Sequence, residues 1–386
     1  MKNLNLHIYP SYSQYDTRIL NETKSLARYG IFDRIAIIGL WKEGLKKNEK
    51  LDDTREIWRV VLKTASLPER TFSKIIKHIE WALKIFRKFK GEPGLCVNCH
   101  TLSTLPIGIL FRLFDGAKVV YDAHELETER TEWPKVRRAL AKLLERCLIH
   151  RADLVVVVSE SIARWYRERY KLRNVYTIHN FPDLHLSEDD TYKEILKRKF
   201  KIGSEEILFI YQGLIDSGRS VDLLLEIFSR IDRRRHIVFM GYGALEEKVK
   251  KYERDYSNIH FQPAVSPDEY LNYTQSADVG FSLIENTCLS YYLTLATKFC
   301  EYLVAGIPVI TTDFPEPAKI IDLYDCGWKV PYDIMLITDL IESITKQDIR
   351  TKANNAVECR DNFIWSREEE KMIKIYKEAQ IGGKAT

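Results

Sequence analysis

The chain has 386 residues, more than one hydrophobic core ordinarily supports, so two domains are expected. Apolar residues at 45% and charged residues at 30% describe an ordinary soluble protein with material for two cores. A net charge of +4, with no basic run dominating a domain and no zinc-finger or stacking-aromatic motif, argues against nucleic acid as a partner.

No apolar run approaches a membrane span, and the opening residues 1–9 form a short strand without a signal core. The seven cysteines are odd in number and scattered, so they read as reduced, mostly buried thiols of a cytoplasmic protein.

The first half alternates strand and helix. Short Val/Ile-rich runs predict strands at 4–9, 35–40, 58–62, 95–98, 119–122, 154–159 and 175–178, with helices near 17–29, 72–88, 102–114, 135–149 and 161–170. Strands apolar on both faces belong to a parallel sheet covered by helices, and ligands bind such sheets beyond the carboxyl ends of the strands. After the first strand, Pro10-Ser11-Tyr12-Ser13-Gln14-Tyr15-Asp16-Thr17-Arg18 is a polar loop with Asp16 as the expected helix cap; Asp16 and Arg18 are candidates for an acceptor wall.

The stretch 70–90 is a basic amphipathic helix with Ile75, Ile79, Leu83 and Phe86 in one row; it either covers the sheet or lies on an anionic membrane. Cys96-Val97-Asn98-Cys99-His100 has the spacing of a haem-attachment motif, but no export is signalled and a buried strand is expected there, so these are read as strand residues. At the fifth strand end, Tyr121-Asp122-Ala123-His124-Glu125 sets a histidine between acids: a hydrogen-bonded corner or a site. Ser159-Glu160-Ser161 reads as a helix cap.

Pro182 and the acidic run Ser187-Glu188-Asp189-Asp190 mark a linker, dividing the chain into 1–183, a connection at 184–204, a second domain at 205–364 and a last helix at 365–380. The second domain repeats the rhythm. Strand 207–211 enters the loop from Gly213 to Asp222 and helix 223–231; a glycine-bearing loop opening a helix, with Arg219 inside it, suits a diphosphate. Strand 236–240 leads to Gly241-Tyr242-Gly243 and helix 245–254, where Glu246 replaces the third glycine of a dinucleotide fingerprint. Strand 259–263 precedes Ala264-Val265-Ser266, followed by helix 267–275 and strand 279–283.

The most informative stretch runs from Thr294 to Thr312: Thr294 as a helix cap, Leu295, then Lys298 and Glu301 on one face, Gly306 ending the helix, and Pro308-Val309-Ile310 opening a strand. A further helix at 313–321 and strand at 326–332 follow. Ser366-Arg367-Glu368-Glu369 reads as a capping box opening the last helix, with Met372, Ile373 and Tyr376 inward.

Lys298-x-x-Glu301-Tyr302 followed by Gly306, Pro308 and Val309-Ile310 resembles the donor-site motif of GT-B glycosyltransferases, in particular the retaining enzymes of family 4 (group 1). Asp122-x-His124-Glu125 resembles a motif of one branch of that family, and His179-Asn180-x-Pro182 resembles the close of its first domain. The resemblance implies an α/β fold of two Rossmann-like doubly wound parallel-sheet domains facing across a cleft, with the last helix crossing back to the first domain. It implies sugar transfer from a nucleotide diphosphate sugar to a glycan or lipid-linked glycan acceptor in cell-surface polysaccharide synthesis, with no metal and no cofactor. Residue by residue, it implies Glu301 on the ribose, Arg219 and Lys298 on the diphosphate, Gly213, Gly241, Tyr242, Gly243, Val265 and Leu295 around the nucleotide sugar, His124 on the transferred sugar, and Glu125 with Asp16 and Arg18 on the acceptor side.

The sequence departs from the family pattern at three places. The first loop lacks glycines, Leu214 occupies an early basic position, and Leu293 replaces the first acid of a Glu-x7-Glu pair. A silent nucleotide-binding subunit and a nucleotide-sugar epimerase are the competing readings. A nicotinamide oxidoreductase fails on the missing glycine. Peripheral attachment to the inner face of the cytoplasmic membrane is the expectation attached to helix 70–90.

Overall fold

The computed structural model describes residues 3–13, 16–68, 70–130, 133–184, 186–187 and 190–382. The chain divides into two compact units: residues up to His179 together with those from Glu368 onward, and Asn180–Arg367. Of the acidic linker run, Glu188 and Asp189 lie outside the described residues, as do Gln14 and Tyr15 of the first loop.

The first unit is built on β1 (Leu4–Ile8), β2 (Arg34–Leu40), β3 (Asn48–Lys50), β4 (Arg55–Val60), β5 (Cys96–Cys99), β6 (Lys118–Ala123), β7 (Leu154–Val157) and β8 (Val175–Thr177). They form one sheet in the order β3-β4-β2-β1-β5-β6-β7-β8. The Val/Ile runs are buried on both faces, as a covered parallel sheet requires. Among the described residues only the β3–β4 pair is antiparallel; Asn48-Glu49-Lys50 is too polar to read as a strand, and its charges suit an edge that must not pair further. The strand order reverses between β1 and β5, the place where a doubly wound sheet opens a ligand site.

Helices α1 (Thr17–Arg28), α2 (Thr71–Phe89), α3 (Leu105–Asp115), α4 (Lys135–Leu148) and α5 (Glu160–Tyr170) connect these strands. Helix α2 serves two faces at once. Trp81, Ile85 and Phe89 are buried, with the Trp81 Nε1 donating to the Gly39 carbonyl at 3.2 Å and Phe89 meeting Trp58 edge-on. Ile75, Ile79 and Leu83 stay exposed, while Phe86 leaves the expected row to pack on Phe111 of α3.

The second unit carries β9 (Ile207–Leu214), β10 (Arg235–Tyr242), β11 (Ile259–Pro263), β12 (Val279–Ser282), β13 (Val309–Thr312) and β14 (Gly327–Val330), all parallel, in the order β11-β10-β9-β12-β13-β14. Helices α6 (Ile195–Phe200), α7 (Val221–Arg230), α8 (Glu246–Asp255), α9 (Tyr270–Thr274), α10 (Leu289–Tyr292), α11 (Thr297–Val304), α12 (Pro315–Tyr324), α13 (Ile334–Ser343) and α14 (Lys346–Cys359) accompany it, and α15 (Trp365–Glu378) leads into the first unit. Met372, Ile373 and Tyr376 of α15 are buried, and the Asn98 amide donates to the Tyr376 hydroxyl at 2.6 Å.

Four expected local features are corrected. The Lys298 helix starts at Thr297, not Thr294: Ala296 is extended and occupies the cap position without a side-chain bond, so Thr294 lies outside the helix. Asp16 occupies the cap position of α1 but makes no cap bond, because its carboxylate accepts the Ser11 hydroxyl at 2.5 Å. Ser366 sits inside α15, whose first amide, that of Trp365, donates to the Pro182 carbonyl; Glu368 is drawn away to His179. Helix 267–275 shortens to α9 (Tyr270–Thr274). Ser159 does cap α5, accepting from the Ile162 amide. All seven cysteines are free, five of them buried, with Cys99 packed in β5.

Candidate functional site

In the second unit the loop after β9 and the first turn of α11 bring the expected cations together. Lys298 is half-buried, with its Nζ 4.0 Å from the centre of the Tyr211 ring. Burial first, and the neighbouring Arg219 second, lower its pKa to about 7, with Glu301 opposing them. Arg219 itself is exposed on the turn that opens α7. Two cations sharing a half-buried surface repel each other, so an anion placed between them relieves both the repulsion and the desolvation of Lys298.

Glu301 lies one turn further along α11. Its carboxylate accepts the Gln212 side-chain amide at 2.5 Å and the Tyr270 hydroxyl, and burial raises its pKa against those bonds and against Lys298. Gln212 is itself fixed, its side-chain oxygen accepting Thr274 Oγ1 at 2.6 Å and its amide donating to Tyr302 at 3.1 Å. A carboxylate held this way presents acceptor oxygens at a set position, which is what recognition of paired sugar hydroxyls needs.

The glycines divide by reason. A Cβ on Gly241 would stand 1.8 Å from the Gly213 carbonyl oxygen, and one on Gly243 would stand 2.2 Å from that of Ile215. Gly241 is therefore required by the pairing of β9 with β10, and Gly243 by the close approach of the two segments just past those strands, independently of any ligand. Gly213 differs: a Cβ there meets nothing within 4 Å, yet its φ of 114° is closed to other residues, so the backbone turn and the open space beside it are what glycine supplies. Tyr242 is 65% exposed at the end of β10, and Val265 and Leu295 are half-buried against the core beneath the sheet ends.

In the first unit the ends of β1, β5 and β6 gather His7, His100, Asp122 and His124. His7 Nδ1 is 2.9 Å from His100 Nε2, His100 Nδ1 is 2.9 Å from Asp122 Oδ2, and His124 Nε2 is 3.0 Å from that same oxygen. Arg18 grips both Asp122 oxygens, at 2.7 and 3.0 Å, and donates to the Ile178 carbonyl. Burial would push the Asp122 carboxyl up, but Arg18 and then His124 outweigh it and hold it well below the usual range. Burial lowers His7 strongly and His100 to about 4, so both rings are neutral at pH 7. His124 is the member of the group that reaches solvent, with Tyr9 beside its ring.

His100, Asp122 and His124 could together ligate a metal, as could His7, Glu22 and His100. Arg18 and the bonds among the rings already engage these atoms, so the group is a self-contained hydrogen-bonded network. Arg18, expected on an acceptor wall, is buried with its donors committed to Asp122, Glu22 and Ile178; that expectation is corrected. Asp16 and Glu125 remain near the sheet edge, Asp16 accepting from Ser11 and Glu125 pairing with Arg130 at 2.8 Å.

Gln212, Tyr270, His7 and His100 are site neighbours that motif reading passed over. His100 carried a signal, its place just past the end of β5, which the Cys-x-x-Cys-His spacing obscured.

The family model for Glycosyltransferase Family 4 matches residues 19–186, and that for Glycosyl transferases group 1 matches residues 192–379. Among curated proteins, the chain is 20% identical over 396 aligned positions to the chitobiosyldiphosphodolichol beta-mannosyltransferase of Kluyveromyces lactis, covering 94% of this chain and 87% of the relative. Among solved structures, sucrose-phosphate synthase from Thermosynechococcus elongatus aligns over 98% of this chain and 99% of its own with a TM-score of 0.78 at 16% identity. Anabaena HepE in complex with UDP-glucose aligns over 97% and 99% with a TM-score of 0.74 at 11% identity. Both are similar in fold, and the two parallel-sheet units are those of the GT-B architecture.

Proposed function

We propose that this chain, which belongs to the family 4, group 1 glycosyltransferases, is a retaining enzyme that takes its sugar from a nucleotide diphosphate sugar. The observation that carries this reading is Lys298: a half-buried amine lowered to about 7, with Arg219 beside it and the fixed carboxylate of Glu301 one turn away. Arg219 and Lys298 bind the diphosphate and stabilise the charge that develops on it as the glycosidic bond breaks, doing without a metal. Glu301 holds the ribose hydroxyls. For His124 the role is contact with the transferred sugar, its Nε2 fixed by Asp122 and its side chain partly exposed.

The acceptor is a glycan or lipid-linked glycan. The K. lactis relative, a chitobiosyldiphosphodolichol mannosyltransferase by name, supports the lipid-linked form. The protein works in the cytoplasm at the inner face of the membrane, attached peripherally through the exposed Ile75, Ile79 and Leu83 row of α2; no helix among the described residues is long and apolar enough to cross a bilayer.

A thermal-shift panel of UDP, GDP, ADP, TDP and CDP, with and without magnesium, tests the donor site, because a ligand that binds only the folded state raises its melting temperature by mass action. One nucleotide should shift the wild type without magnesium and fail to shift Lys298→Ala. A shift that persists in Lys298→Ala would remove the diphosphate from this site.

A further inference from the structure

Helix α4 is built inside out. Its one fully buried residue is Glu145. One carboxylate oxygen accepts the Tyr166 and Tyr121 hydroxyls at 2.7 and 3.2 Å, and the other accepts Tyr170 and Thr128 at 2.7 and 3.3 Å. These partners come from β6, α5 and the turn at Glu127–Glu129, so a hydrogen-bonded carboxylate anchors the helix to the sheet.

The aliphatic residues point the other way. Val136 is 73% exposed, Leu140 62% and Leu143 59%, with Leu144 beside them. Their spacing of four, three and one residues makes a single stripe. A helix that turns its glutamate inward and its leucines outward forgoes the usual gain of burial, unless that stripe is covered where the protein works.

The charge around the stripe identifies the cover. Apart from the buried Glu145, every charged residue of α4 is a cation: Lys135, Arg137, Arg138, Lys142 and Arg146. By the helical repeat, Lys135 and Arg146 border one side of the stripe and Arg137 the other. A second copy of this chain would set cations against cations. A surface with anionic headgroups over an apolar interior matches both halves of the pattern. Helix α3 packs against both α4 and α2 and exposes Leu113 and Phe114 at its end.

We propose that α4 is a membrane-contact helix, lying in the headgroup layer of an anionic bilayer with Leu140 and Leu143 among the acyl chains and Lys135, Arg137 and Arg146 at the lipid phosphates. The proposal is independent of the donor-site reading and separable from attachment through α2.

The test uses the full chain with sedimented vesicles of phosphatidylcholine alone or with a third of phosphatidylglycerol. Three proteins are compared: wild type, Leu140→Glu/Leu143→Glu and Ile75→Glu/Ile79→Glu, each checked by circular dichroism and melting. The wild type should bind only the anionic vesicles, release at high salt, and lose about tenfold in partitioning in the α4 variant. Loss confined to the α2 variant would overturn the proposal while leaving attachment through α2 standing. No vesicle binding by any of the three would overturn both. A wild-type dimer that the α4 substitutions dissolve, seen by light scattering, would assign the stripe to self-association and overturn the membrane role.

Discussion

Donor binding should depend on pH through Lys298, in a direction and size that the site itself fixes. Burial and Arg219 lower the amine to about 7, whereas a bound diphosphate requires it charged. The group's folded pKa is depressed in the empty site and restored by ligand, so binding takes up a proton and weakens as pH rises. If only the protonated form binds, its population falls from about nine-tenths at pH 6 to about one-tenth at pH 8, an affinity loss of about tenfold or about 1.4 kcal/mol.

A nucleotide sugar is the correct probe, because its diphosphate is esterified at both ends and carries no group titrating in that window; a free nucleoside diphosphate does. Calorimetry in two buffers of different ionisation enthalpy should report uptake of about half a proton at pH 7. Lys298→Met should bind more weakly with a flat profile, while Glu301→Gln should keep the fall in affinity with rising pH and move it to lower pH, because Glu301 supports the charged amine. Constant affinity between pH 6 and 8, with no proton uptake, would refute the assignment of the diphosphate to Lys298.

Gly241→Ala and Gly213→Ala should part company. The first drives a methyl into the Gly213 carbonyl and should unfold the second unit at a lower denaturant concentration. The second has room and should cost about 1 kcal/mol through its backbone conformation, with donor affinity the more affected quantity. Asp122→Asn strips the carboxylate from the buried Arg18 and should lower stability by about 3 kcal/mol in urea titrations; an unchanged midpoint would show the pair to be dispensable. His124→Ala should abolish turnover and leave nucleotide affinity intact, and a variant with normal turnover would remove His124 from the reaction.

The alternation of Val/Ile runs with helices, as in Arg34–Leu40 and Leu154–Val157, made both sheets legible, because strands buried on two faces must be apolar throughout. The proximity of Lys298 and Glu301 was legible as well, from their spacing of three on one helix, and the structure adds Arg219 beside them. What escaped was whatever depends on tertiary partners. Asp16 and Ser366 look like caps, but Ser11 claims the Asp16 carboxylate, and Ser366 falls inside α15 with Glu368 claimed by His179. Arg18 looks like an exposed loop cation, yet Asp122 and the Ile178 carbonyl, which draw it inward, lie far along the chain. Gly241 and Gly243 read as ligand contacts, while the carbonyls that exclude a Cβ, those of Gly213 and Ile215, belong to a neighbouring segment that the motif does not contain.

The junction of the first unit with the returning chain bears on how the protein is made. The chain leaves that unit at His179 and re-enters it at Glu368, and the two residues are clasped: the His179 amide donates to Glu368 Oε2 at 2.9 Å, and its Nδ1 is 3.0 Å from Oε1. Topologically the second unit is an insertion between two touching ends. On the ribosome, the first unit's strands emerge before Tyr376, the partner of Asn98, has been made, so a chain stopped within the insertion lacks that contact. The same closeness means that a short glycine bridge can span 179 to 368, and a first unit so bridged should melt cooperatively by circular dichroism.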